Sequence, residues 1–163
     1  THAEGIVTKQ YGFFEQLAIG EAYERRLDEH FRQALNIVRI IPATRMQQSA
    51  GIDRIWHMQN GRITTVEYKA DDKAGRTGNA FVETISVDTT NKPGWAVAST
   101  AMLLAYLVTE PETIYLIAMD RLRAELPRWQ RQYRTTYAQN DGYRTHGVLV
   151  PLAEFERIAA KVW

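Results

Sequence analysis

The sequence predicts an α/β fold: a mixed central sheet, antiparallel over one hairpin, flanked by helices on both faces. Three observations carry this. Apolar residues near the N-terminus recur at three- and four-residue steps, the period of a helix. Two β-rich runs flank Asn60-Gly61, a hairpin signal. Further along, helical and strand-like patterns alternate.

The first element spans residues 11–35. Leu17, Gly20, Leu27, Phe31 and Ala34 form its apolar stripe. Glu24 lies on the same stripe, where an acid is costly unless it is paired or binds a cation. Both a salt bridge to an arginine and a cation site are open there. Residues 36–41 read as an Ile/Val-rich strand closed by Pro42, and residues 51–58 and 62–69 as the two hairpin strands. The stretch 70–79, rich in Asp, Gly and basic residues, reads as a loop. Residues 81–87 read as a strand, 91–94 as a turn and 98–108 as an apolar helix. Residues 113–119 read as a buried strand, followed by a helix that Asp120 can cap. Pro127 ends that helix or starts a new turn. A short strand over 147–152 and a C-terminal helix with Phe155, Ile158, Ala159 and Val162 on one face complete the chain.

A chain of 163 residues with 45% apolar and 24% charged residues fits one globular domain, 1–163, with a sizeable core. There is no cysteine, which excludes disulfides, thiolate metal sites and cysteine nucleophiles and suits a cytoplasmic location. The four histidines lack close ligand spacing, which argues against zinc. No signal-peptide pattern is expected, and no run approaches the roughly 18 apolar residues that span a membrane. Net charge is only +1, yet residues 120–146 hold six arginines against three acids. A basic face is compatible with a nearly neutral whole.

Hairpin register decides whether chemistry is possible. Glu67 and Lys69 share a face, because side chains alternate along a strand. A two-residue Asn60-Gly61 turn sets Asp53 opposite Tyr68. A three-residue loop, Gln59-Asn60-Gly61, sets Asp53 opposite Glu67, with the two Cβ atoms about 5 Å apart. Two carboxylates so close repel unless a divalent cation lies between them, and hard oxygen ligands suit Mg²⁺ or Mn²⁺. Lys69 beside them is placed to orient water and to stabilise charge on a phosphate. Without the odd register, the same residues are a surface hairpin with an incidental salt bridge.

Glu67-Tyr68-Lys69 on the second hairpin strand, with Asp53 fourteen residues before Glu67, resembles the PD-(D/E)XK nuclease superfamily. "GEAYERRLDEHF" followed by "NIVRII" is similar to the first helix and strand of archaeal Holliday-junction resolvases, including a Gly-x-x-x-Glu step filled by Gly20 and Glu24. "TGNAFVE" (77–83) and "KPGWAVASTA" (92–101) resemble a segment of phage and bacterial members. Ile52 stands where the superfamily's name has Pro.

The resemblance implies a restriction-endonuclease-like core and a Mg²⁺- or Mn²⁺-dependent deoxyribonuclease. Asp53, Glu67 and Glu24 would bind metal, and Lys69 would position water and phosphate. Glu83 is a further carboxylate inside a β-rich run, read either as a strand-edge acid or as a supporting ligand. Lys73, Arg76, Arg121, Arg128 and Arg131 are the expected contacts to DNA phosphates, while Trp129 is expected in the core. A homodimer is the expected assembly. The competing expectation is a non-catalytic nucleic-acid-binding module on the same fold.

Overall fold

The computed structural model describes residues 13–163. It is mixed α/β, with a central sheet of parallel and antiparallel strands flanked by helices. Helix α1 (Phe13–Ala34) leads into β1 (Ile37–Pro42), the short helix α2 (Arg45–Ser49), β2 (Arg54–Met58) and β3 (Ile63–Asp71). Helix α3 (Ala74–Thr77), β4 (Asn79–Val87), β5 (Lys92–Pro93) and α4 (Trp95–Ala98) follow. The chain ends with β6 (Leu103–Thr109), β7 (Glu112–Ala118), α5 (Met119–Gln132), β8 (Thr135–Gln139), β9 (Arg144–Pro151), α6 (Leu152–Ile158) and β10 (Lys161–Val162).

The six-stranded sheet has the order β1-β2-β3-β6-β7-β10. Its centre is the parallel pair β3–β6, and its other pairs are antiparallel. Alternation along the strands sorts its two faces. Val66, Tyr68, Ala105 and Leu107 meet Leu27 and Phe31 of α1 in one core, where Phe31 and Trp56 stack with centroids 4.6 Å apart. Leu104, Tyr106, Tyr115 and Ile117 meet α5 and α6 in the other, through Leu122, Trp129, Phe155 and Ile158. Truncating fully buried Phe31 to Ala is worth about 3–5 kcal/mol of stability.

Several expectations are corrected. The apolar run 98–108 is not a helix: Ala98 ends the short α4, and from Leu103 the chain is β6, which lies between β3 and β7 and is buried on both faces, so it shows no alternation and mimics a buried helix. The expected loop 70–79 holds the end of β3, α3 and the start of β4. Pro127 lies inside α5, which continues to Gln132 because Leu126 and Trp129 on either side of it are anchored in the core. Asp120 is not the cap of α5. The N-cap is Ala118, which makes no side-chain cap bond, and Asp120 projects into solvent. Leu17, expected in the core, is 50% exposed. A four-stranded second sheet, β5-β4-β9-β8, was not foreseen.

Candidate active site

The hairpin joining β2 and β3 settles the register. Gly61 takes φ +83°, the left-handed region, and its N–H donates to the Met58 carbonyl at 3.0 Å. Met58 N–H donates to the Arg62 carbonyl at 2.9 Å, and Asn60 Oδ1 accepts from Arg62 N–H at 3.0 Å. The loop is therefore the three-residue Gln59-Asn60-Gly61 form. Arg54 pairs with Val66 and His57 with Ile63, which places Asp53 just before β2, hydrogen-bonded to β3 on either side of Glu67, at Val66 and Tyr68.

Asp53 is held on all sides of its backbone. Its N–H donates to Val66 at 2.9 Å, and its carbonyl accepts from Ala43 N–H and from Arg54 Nη1, each at 3.0 Å. Just before it, Gly51 (φ +80°) presses on Ser99, where any Cβ would lie 2.7 Å from the Ser99 Cα. The Asp53 carboxylate turns to β3, and its Oδ2 accepts from Tyr68 N–H at 2.8 Å.

Glu67 is 4% exposed. Its Oε1 lies 3.0 Å from Lys69 Nζ, while its Oε2 is buried with no hydrogen-bond partner. An unmatched carboxylate oxygen in the interior is costly, and a cation is the partner that best relieves it. Burial works against the charge on Lys69, but Glu67, Asp53 and Glu83 outweigh it and raise the ammonium's pKa. Lys69 is thus held as a cation among three carboxyls. Burial raises the carboxyl of Glu83, aided by nearby Glu67 and opposed by Lys69 and the Trp95 N–H. Gly94 makes this packing possible, since a Cβ there would sit 2.5 Å from the Glu83 carbonyl oxygen.

Glu24 is placed elsewhere. It lies on α1, lines a small cleft that also reaches Lys69, and its Oε2 is 3.2 Å from Arg54 Nη2. Arg54 also donates from Nε to both oxygens of Asp28, at 3.0 and 3.2 Å. Tyr68 Oη donates to Asp28 Oδ1 at 2.9 Å and accepts from Trp56 Nε1 at 3.3 Å. The salt bridge to an arginine is thus the role the structure gives Glu24. Sequence reasoning passed over Arg54 and Asp28. The available signal was a second acid four residues after Glu24, on the same helix face. Among the described residues, no three His, Asp or Glu side chains are grouped as a metal site. Asp53 and Glu67 are both near enough to Lys69 to favour its charged form.

A cleft of about 460 Å³ opens beside Lys69 and Glu83, walled by Lys73, Phe81, Trp95 and Tyr137. Asp71 forms part of its floor and is structural. It accepts from Lys73 N–H at 2.9 Å, from Ala74 N–H at 2.8 Å and from the Tyr106 hydroxyl. Of the expected phosphate contacts, Lys73 lines the cleft, and Arg76, Arg121 and Arg131 are exposed. Arg128 is held by Glu125 at 2.8 Å and by Glu154, which leaves it poorly placed for a phosphate. Trp129 is in the core, as expected. A second cleft, about 280 Å³, lies on the α1 side between Glu24, Tyr23 and Lys69.

Comparison with protein-family models, characterised proteins and solved structures gave no match.

Proposed function

We propose that the chain is a metal-dependent nuclease of PD-(D/E)XK type that hydrolyses DNA phosphodiester bonds. The observation that carries this is the buried Oε2 of Glu67, without a partner and between the two β3 residues that hydrogen-bond Asp53. The donor set fits a hard divalent cation: two carboxylates from adjacent strands, no sulfur or imidazole, and ligand positions left for water and phosphate. Asp53 and Glu67 would hold Mg²⁺ or Mn²⁺. Such an ion would acidify a bound water and polarise the phosphoryl oxygen.

The chain's own residues supply the rest. Asp53 and Glu67 would bear on the phosphate only through the ion they hold, since carboxylates alone repel it. Lys69, held charged beside Glu67, orients the attacking water by hydrogen bonding and offsets negative charge growing on the phosphoryl oxygens. Glu83 steadies Lys69 from β4. Glu24 acts through Arg54, whose Nη1 holds the Asp53 carbonyl.

The test is cleavage of single-stranded, duplex and branched DNA with Mn²⁺ or with EDTA. Wild-type protein should cut with Mn²⁺ alone. Asp53→Asn, Glu67→Gln and Lys69→Met should each lower the rate by at least about 100-fold, the scale of losing one preorganised charged group. Cleavage that persists in Glu67→Gln would refute this reading. A second reading, a non-catalytic DNA-binding module, is favoured because, among the described residues, no three His, Asp or Glu side chains are grouped so as to hold a metal. It predicts no cleavage of any substrate and unchanged DNA binding by Asp53→Ala.

A further inference from the structure

The cleft beside Lys69 carries more information than a phosphate site requires. Tyr137 on β8 lines it and is 50% exposed, an unusual state for a large aromatic on a strand. The Arg144 guanidinium sits 4.3 Å from the Tyr137 ring centroid, and its Nε donates to Gln139 Oε1 at 3.1 Å. Arg144 thereby covers one part of the ring, the His146 ring approaches it with centroids 5.9 Å apart, and half of the side chain stays open to solvent. Phe81 on β4 is half-buried in the same wall. Lys69 and Lys73 supply positive charge at the β3 end. Of the acids there, Asp71 is engaged in backbone and hydroxyl hydrogen bonds and Glu83 faces Lys69, while Asp72 is exposed at the rim beside Lys73. The volume, about 460 Å³, is that of a small-ligand site, a size that admits a flat ring and its sugar.

We infer that this cleft receives an unpaired nucleotide of a DNA single strand, its base stacked on Tyr137 and its phosphate drawn toward Lys69 and Lys73. The inference rests on the nuclease reading for its choice of DNA. It deepens that reading by naming the substrate class as single-stranded or splayed ends. The reason is geometric. Within a duplex, each base face is covered by its neighbours, so a protein ring can stack only on a base that is unpaired or turned out. A ring already packed against neighbours loses less freedom on stacking, so it serves as a platform for any base.

The test is binding by fluorescence anisotropy in EDTA, where nothing is cut. The probes are a labelled 12-mer oligothymidylate, the same length of duplex, and a 12-mer oligouridylate. Wild-type protein should bind oligothymidylate more tightly than either of the others. Tyr137→Ala should weaken that binding about fivefold to 150-fold, the range for one lost base-stacking platform. Tyr137→Phe, which keeps the ring, should bind like wild type. Tyr137 is exposed, so neither change threatens folding. Unchanged affinity in Tyr137→Ala, or duplex or oligouridylate bound as tightly, would overturn the inference. Binding is measured without metal, so the two readings fail separately. Loss of cleavage in every assay with Tyr137-dependent binding leaves this inference standing. Glu67-dependent cleavage with Tyr137-independent binding sinks it alone.

Discussion

A carboxylate oxygen shut away from water without a partner, as at Glu67, is relieved by a proton or by a cation. The two outcomes separate experimentally. If a divalent ion seats there, Mn²⁺ at about 100 times its Kd adds about 2.7 kcal/mol to folding stability. For a chain of this size that raises Tm by several degrees, at about 2–4 °C per kcal/mol. Thermal melts should show this rise in wild-type protein and not in Glu67→Gln. A neighbouring prediction concerns Arg54, which is buried and shared between Asp28, Glu24 and the Asp53 carbonyl. Arg54→Met strands Asp28 without its charge partner and should cost about 3–5 kcal/mol in denaturant unfolding. A loss below about 1 kcal/mol would show that the pair contributes little. At this scale Asp53, Glu67 and Lys69 were legible because they are close along two adjoining strands. The Asp28–Arg54–Tyr68 network was not, because its members come from three separate elements and only packing brings them together.

At the scale of elements, the hairpin loop does the deciding work. Asn60-Gly61 is compatible with two registers, and the sequence signal alone leaves both available. Gly61 in the left-handed region and the Met58–Arg62 bond select the three-residue form. A one-residue slip would turn Asp53 away from Glu67. Deleting Gln59, which leaves a two-residue Asn60-Gly61 turn, is expected to abolish both the Mn²⁺ stabilisation and cleavage. Retention of both would mean that the pairing does not depend on the loop. The same scale explains the error at residues 98–108. A strand covered on both faces carries no period of two, and Leu-Leu-Ala-Tyr-Leu-Val suits either a buried strand or a buried helix. Only the presence of β3 and β7 on its two sides makes it a strand.

Across the whole molecule, the central sheet has α1 on one face and α5, α6 and the β4-containing sheet joined to the other. Helices on both faces followed from the alternation of patterns. The second sheet was hidden because β8, Thr-Thr-Tyr-Ala-Gln, has no fully buried side chain and so carries no core signature. One tie across this layer is pH-dependent. Burial alone would raise the Glu154 carboxyl, but the Trp129 indole and the Arg128 and Arg157 guanidiniums hold it below its ordinary value of 4.5. A depressed carboxyl contributes stability above its unfolded pKa and loses it as pH falls through the folded one. Glu154→Gln should therefore melt below wild type at pH 7, with the gap closing as pH drops well under 4.5. A gap that persists unchanged in acid would assign the loss to packing instead.

The parallel pair at the centre of the large sheet has a consequence in time. Val66 pairs with Leu103, so β3 and β6 meet only after the chain between them, including β4 and β5, has been looped out. Closing that loop costs chain entropy before any contact across it repays the cost. The β2–β3 hairpin, by contrast, closes locally on a microsecond scale. Asp53 and Glu67 are thus brought together early, on a hairpin, while the wall bearing Phe81 and Tyr137 is added late. Pulse-labelling hydrogen exchange during refolding should show the β2–β3 amides protected before the β3–β6 amides, with the chain as a whole folding in milliseconds to seconds.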